Sequence, residues 1–230
     1  MSHSDPRLFV ALDLPSVAEA EAMVETLGDS IDSYKIGLQL LPIGGVELGQ
    51  RLKARGKNIF YDFKLHDIGA TVEKATRSIA SLDADLLTVH ARPDVMRAAV
   101  TGKGSSSLKI LGVTVLTSLD RQALLDIGYN DNAENLVMRR VDQALKAGID
   151  GVVSSPLEAP AIRANVPESF LVVTPGVRPA GADIGDQKRI ATPASALSGG
   201  ASHLVIGRPI TQAKDPKQAA IRICQEMSGH

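Results

Sequence analysis

Asp62, Lys64 and Asp67 stand together in Asp62-Phe-Lys64-Leu-His-Asp67, directly after the apolar run Asn58-Ile-Phe-Tyr61. Side chains alternate faces along a strand, so Asp62 and Lys64 point one way while Tyr61, Phe63 and Leu65 point the other. Asp67 follows at the turn. A carboxylate forced against a lysine, with a second carboxylate close by, holds the ammonium charged and aimed, which a proton donor to a reacting carbon requires. A structural ion pair that caps the strand fits the same three residues, since paired charges often satisfy only each other.

Further polar residues mark other apolar runs: Asp13 and His90 close theirs, Lys35 sits within one, and Thr117 with Ser118 follow another. Lys35, flanked by Tyr34 and Ile36, is costly in a buried strand unless a carboxylate or a ligand oxygen meets it. Asp13 or Asp62 on neighbouring strands would do so, and an alternating Lys/Asp array across the first three strands is the expectation. Asp13 fits a helix cap before Pro15 as well as a ligand contact, and His90 fits a satisfied structural histidine.

The last quarter carries a different signal. Thr174-Pro-Gly-Val-Arg178 and Gly207-Arg208-Pro-Ile210 combine glycine, which lets an anion approach backbone N–H groups, with arginine, whose planar fork matches phosphate oxygens. Each alone reads equally as a turn with a solvated charge; the two together predict phosphate binding. The stretch 179–189 is long, polar and glycine-containing, and reads as a mobile lid over the phosphate or as an ordinary surface loop. Within it, Gln187 would add a neutral hydrogen bond to the phosphate or to a polar ring.

These residues need a scaffold that brings strand ends together. Short runs rich in Val, Ile and Leu fall at 8–13, 34–38, 58–63, 86–90, 110–116, 151–154, 171–174 and 203–207. Amphipathic stretches such as 16–27, 46–55, 70–82, 133–147 and 216–227 lie between them. Strict strand and helix alternation implies parallel pairing, because each crossover returns over the sheet. Eight such units in 230 residues, with no Pro/Gly/Ser linker, predict a single-domain α/β (β/α)8 TIM barrel over residues 1–230, ahead of a doubly wound sheet. Barrel enzymes build their sites at the C-terminal ends of strands and commonly bind phosphate after the last two, where the polar ends and the Gly/Arg loops fall.

Composition narrows the partners. Hydrophobic content of 44%, charged content of 22% and a formal net charge of -1 are ordinary for a soluble globular protein and give no electrostatic footprint for nucleic acid or an anionic membrane. A small-molecule ligand is the expectation. The single Cys224 excludes an internal disulfide and a cysteine-based zinc site, and its surroundings read as helix packing. The first residues show no signal pattern, and no apolar run approaches the roughly 20 residues that span a bilayer, so a cytoplasmic setting is expected.

Taken together, Ala11-Leu-Asp13, Tyr34-Lys35-Ile-Gly37, Asp62-x-Lys64-x-x-Asp67-Ile-x-x-Thr71, Val89-His90, Val115-Leu-Thr-Ser118, Thr174-Pro-Gly-x-Arg178-Pro, Gly185-Asp-Gln187-x-Arg189 and Val205-Ile-Gly-Arg208-Pro-Ile-Thr211 resemble the orotidine 5'-monophosphate decarboxylase family along almost the whole chain. The resemblance implies a (β/α)8 barrel that works as a homodimer without metal or cofactor and converts orotidine 5'-monophosphate to UMP. It makes Lys64 the proton donor to C6 and puts Asp62 beside the departing carboxylate. Asp67, with Ile68 and Thr71, would enter the neighbouring subunit's site. Lys35 and Asp13 would bind ribose hydroxyls, Thr117 and Ser118 the pyrimidine, and Gln187, Gly207 and Arg208 the phosphate, with Arg178 at the mouth beneath the lid. Two rival readings stand beside it. A magnesium-dependent sugar-phosphate decarboxylase of the same barrel superfamily resembles the chain at Asp62-x-Lys64-x-x-Asp67, and a non-catalytic barrel that binds phosphorylated ligands would share its loops.

Overall fold

The computed structural model describes residues 4–116, 119–179 and 191–229. Eight strands pair in parallel and in chain order into a closed barrel: β1 Leu8–Ala11, β2 Ser33–Gly37, β3 Asn58–Leu65, β4 Leu86–His90, β5 Lys109–Val113, β6 Gly151–Val153, β7 Leu171–Pro175 and β8 His203–Ile206. Around it run α1 Val17–Leu27, α2 Gly45–Ala54, α3 Gly69–Ala80, α4 Pro93–Lys103, α5 Arg121–Asp126, α6 Ala133–Ala147, α7 Ala159–Arg163, α8 Pro193–Ser198, α9 Arg208–Thr211 and α10 Pro216–Ser228. Among the described residues no helix is long and apolar enough to cross a membrane.

Alternation along each strand sorts the apolar residues into two cores. Phe9, Ala11, Phe60, Leu86, Leu111, Val173 and Val205 fill the barrel's interior. Their neighbours Leu8, Val10, Tyr34, Ile36, Ile59, Tyr61, Leu87, Val152, Val172 and Leu204 face outward into a larger core under the helices. Several helices are fixed at their starts by short polar side chains that accept otherwise orphaned backbone N–H groups: Ser16 from Glu19, Asn132 from Asn135 and Asp215 from Gln218.

The strand ends differ from expectation where the site begins. As regular strands β1 and β5 end at Ala11 and Val113, short of Asp13 and Leu116, although the Leu12 N–H still donates to the Lys35 carbonyl at 2.9 Å and the Thr114 N–H to the Val153 carbonyl at 3.2 Å. In contrast β3 runs on to Leu65, past Phe63, and does so irregularly. Phe60 and Tyr61 pair with Leu86 and Leu87, but the next pair is Leu65 with Val89. Asp62, Phe63 and Lys64 therefore face Thr88 alone, and Lys64 takes a left-handed φ of 49°.

At the opposite end, two carboxylates bolt strands to helices. Asp85 accepts the Ile59 backbone N–H at 2.7 Å and the Lys53 ammonium from α2 at 2.8 Å. Asp150 repeats the arrangement two strands on, with the Ile110 N–H at 2.8 Å and Lys103 from α4 at 2.7 Å. Asp85→Ala removes an ion pair and orphans a strand N–H, so it is expected to cost about 2 kcal/mol and lower Tm by roughly 4–8 °C, read by calorimetry, without loss of the catalytic rate.

Candidate active site

The C-terminal mouth of the barrel holds a cavity of about 360 Å³, within the range of small-molecule sites. Asp13, Lys35, Asp62, Lys64, Arg178, Gly207 and Arg208 all line it. The charged residues of β1 to β3 form one chain of contacts. Lys35 Nζ lies 3.0 Å from Asp13 Oδ1 and 3.4 Å from Asp62 Oδ2, and Lys64 Nζ lies 2.8 Å from Asp62 Oδ1. Lys35 is 8% exposed and Asp62 14%, whereas Asp13 is 51% exposed, so the array passes from the barrel interior to solvent. Gly37 leaves room for it: a Cβ there would stand 2.8 Å from Asp13 Oδ1 and 2.9 Å from Lys35 Nζ.

Burial by itself pushes the Asp62 carboxyl up, but Lys35 and Lys64, together with hydrogen bonds from Lys64 and Thr88, outweigh it and hold the group below the ordinary carboxylate value. Burial likewise pulls the Lys35 ammonium down, and the charges of Asp62 and Asp13 overcome that and raise it. The signs fix the pH window. The depressed Asp62 contributes stability that is fully present above the unfolded carboxyl value of about 4 and is lost as pH falls through its folded value. The raised Lys35 contributes below the unfolded lysine value and loses that contribution as pH rises through its folded one. Asp62→Asn is therefore expected to melt below the parent at pH 7, with the gap narrowing as pH falls below the unfolded carboxyl value of about 4; a gap that stays constant in thermal melts as pH falls through the acid range would contradict the ion-pair account.

Across the cavity, Pro175 and Gly176 at the end of β7 and Gly207, Arg208, Thr211 and Gln212 after β8 form the other wall. Arg178, which a turn-and-solvent reading would leave exposed, is only 7% exposed, and its Nη1 donates to the Val177 carbonyl at 2.9 Å. Val177 bridges to Ala191 and the Arg178 N–H donates to the Ala191 carbonyl, so the two ends of the expected lid meet at the cavity. The lid residues 180–189, with Gln187, lie outside the described residues, as do Thr117 and Ser118.

Asp67, Ile68 and Thr71 do not join this cavity. Asp67 is exposed, and among the described residues it makes no ion pair; its Oδ1 accepts the Ile68 N–H at 2.6 Å, and Arg92 Nη2 donates to its carbonyl at 3.3 Å. Ile68 is 68% exposed and Thr71 faces solvent from the first turn of α3. Exposed large apolar side chains are scattered among the described residues, at Leu38, Ile43, Ile68, Leu116, Ile127 and Leu157 among others, and none of them lies on α3, whose Val72 and Ile79 are buried. His90 ends β4 half-buried, its ring centroid 4.9 Å from that of His66, outside the cavity lining. Burial, then the nearby His66, Arg140 and Lys64, hold it below the ordinary imidazole value, as a neutral structural histidine would be.

Three residues at the site escaped the sequence reading. Thr88 shares the inward face of β4 with Leu86 and His90, and the alternation applied to Asp62 would have found it. Gly37 stands in the motif Tyr34-Lys35-Ile-Gly37, but its part in the site shows only through the space it leaves. Gln212 lies one turn after Arg208, capping the C-terminal end of α9, a helix too short for any periodic signal.

Comparison with known proteins agrees with this geometry. The chain matches the family described as "Orotidine 5'-phosphate decarboxylase / HUMPS family" over residues 6–223. It is 59% identical to an orotidine 5'-phosphate decarboxylase of Caulobacter sp. (strain K31) over 226 residues, 98% of this chain and 99% of the relative. A decarboxylase of the same name from Rhodopseudomonas palustris (strain BisB5) is 54% identical, covering 99% of each chain. The crystal structure of orotidine 5'-phosphate decarboxylase from Lactobacillus acidophilus superposes with a TM-score of 0.85 at 34% identity, covering 97% of this chain and 99% of that one. With the barrel, the strand-end charges and near full-length identity in agreement, the chain belongs to the orotidine 5'-phosphate decarboxylase / HUMPS family.

Proposed function

We propose that this protein decarboxylates orotidine 5'-monophosphate to UMP, with Lys64 as the proton donor, in a cytoplasmic homodimer whose whole chain acts as one catalytic domain. The observation that carries the reading is the Asp13–Lys35–Asp62–Lys64 chain of charges lining a cavity that faces Arg178 and Arg208. The C6–carboxylate bond breaks, CO2 leaves, and the electron pair stays on C6 as a carbanion that the pyrimidine ring delocalises poorly. Fixed charge must stabilise it, and the Lys64 ammonium does so before giving C6 its proton. The lysine then regains a proton from solvent. Asp62 keeps that ammonium charged and oriented, while Lys35 and Asp13 hold ribose hydroxyls and Gly207, Arg208 and Gln187 take the phosphate. Thr117 and Ser118 meet the pyrimidine, and Arg178 stands at the mouth. Binding energy from the remote phosphate is used at the reacting centre, so contacts far from C6 raise the rate of the chemical step.

Asp67, Ile68 and Thr71 act in the partner's site. Their exposure and the absence of a Lys64–Asp67 ion pair among the described residues support this, since a third array member would otherwise have to reach the cavity within one chain. Both cavity-facing carboxylates, Asp13 and Asp62, are already held by ammonium groups. A divalent cation placed there would meet like charges, which favours a reaction that needs no metal over the magnesium-dependent sugar-phosphate alternative. The test is to follow the loss of orotate absorbance with orotidine 5'-monophosphate in EDTA. Full turnover is expected; binding of the nucleotide without turnover makes the protein a binding barrel, and no turnover of orotidine 5'-monophosphate together with an EDTA-sensitive decarboxylation of a sugar phosphate supports the magnesium-dependent reading.

A further inference from the structure

We infer that Thr88 is a positioning residue that fixes where the Lys64 ammonium stands; the inference rests on the decarboxylase reading above. One hydroxyl serves both ends of the catalytic lysine. Thr88 Oγ1 accepts the Lys64 backbone N–H at 3.0 Å and donates to Asp62 Oδ1 at 2.8 Å, and the same Oδ1 lies 2.8 Å from Lys64 Nζ. The contacts close a ring from the lysine's backbone, through the threonine and the carboxylate, back to the lysine's own ammonium. Thr88 is fully buried, so water cannot replace it. The ring also explains the bulge. With three β3 residues opposite Thr88 alone, the Lys64 N–H has no ladder carbonyl to meet, and its φ of 49° is unfavourable for a side chain with a Cβ. The hydroxyl supplies the missing partner at the one residue whose placement decides the chemistry.

Thr88→Val keeps the shape and removes both hydrogen bonds. It leaves a buried N–H unpaired in the strained turn and frees Asp62 Oδ1 of its neutral donor. The expected result is a kcat lower by about 10- to 100-fold. KM for orotidine 5'-monophosphate and Kd for UMP should stay within about threefold, because the ribose and phosphate contacts are untouched. Thr88→Ser, which restores the hydroxyl without the methyl, should return kcat to near the parent value. The Thr88 hydrogen bond also helps hold the Asp62 carboxyl down, so the acidic limb of kcat should move to higher pH in Thr88→Val and back in Thr88→Ser. Should the valine variant not fold, Thr88→Cys replaces it, similar in size but a weak donor and acceptor. An unchanged kcat, or a loss that serine does not rescue, overturns the inference by making Thr88 a packing residue. The parent assayed alongside keeps the two questions apart: if it fails to turn over, the decarboxylase reading falls, and if it turns over while Thr88→Val matches it, only the role of Thr88 does.

Discussion

Lys64→Ala is expected to fold like the parent and to lose decarboxylation of orotidine 5'-monophosphate by more than about 10⁴-fold, combining a lost general acid with a lost electrostatic partner for the carbanion. The fold should survive because Lys64 contributes little to either core: it lies at the mouth, 26% exposed, and Asp62 keeps Lys35 at 3.4 Å and Thr88 at 2.8 Å when the lysine is gone. Backbone strain does not change, since alanine pays for the left-handed φ about as lysine does. Circular dichroism and UMP binding by calorimetry establish that the variant is folded and ligand-competent. Turnover near the parent rate in that folded variant would remove Lys64 from the chemistry and with it the assigned mechanism.

Much of this site was legible because barrel topology turns a linear pattern into a circle. Once β1, β2 and β3 are adjacent, Asp13, Lys35 and Asp62 have to meet near one strand end, and the salt bridges at 3.0 and 3.4 Å follow from the same alternation that buries Phe60 below them. The glycine and arginine motifs after β7 and β8 likewise come to one wall by position alone. What stayed hidden was geometry that breaks the alternation. A regular strand ending at Phe63 gives no hint that β3 bulges opposite Thr88, because the bulge depends on a side-chain hydroxyl from another strand. The short α5, α7, α8 and α9 are likewise invisible to periodicity, having between four and six residues each. The burial of Arg178 could not be read from a loop sequence at all.

The array therefore divides its labour by depth. Lys35 and Asp62 sit low, where desolvation makes each charge costly alone and binds the two together. Lys64 and Asp13 sit higher, more exposed and free to meet a ligand. Buried pairs of this kind are weak arguments for stability, because their attraction is largely offset by the desolvation of both partners. On the proposed mechanism their value is preorganisation: the charges need not reorient when a carbanion forms above them. Asp67 is the member that this chain does not bring to the cavity, and its place in the function requires a different test.

Mixing two inactive variants tests that place. Lys64→Ala and Asp67→Ala are each expected to lose nearly all turnover, the first through loss of the proton donor and the second by removing a carboxylate from every site of the proposed dimer. If Asp67 serves the partner, a hybrid dimer has one site built from the intact Lys64 of one subunit and the intact Asp67 of the other. Its second site lacks both. With equal co-expression and random pairing, half of the dimers are hybrids and half of their sites are whole, so about a quarter of the parent activity should return. Were Asp67 to act within its own subunit, neither site of a hybrid would be complete and no activity would return. Exposure of Ile68 and Thr71 beside Asp67, and the hold of Arg92 on the Asp67 carbonyl at 3.3 Å, favour the shared arrangement, since they fix the loop's backbone while leaving its side chains to solvent. Differently tagged subunits, with the hybrid purified on both tags, make the comparison quantitative: about half of the parent rate per dimer is expected for the shared site, and none for the alternative.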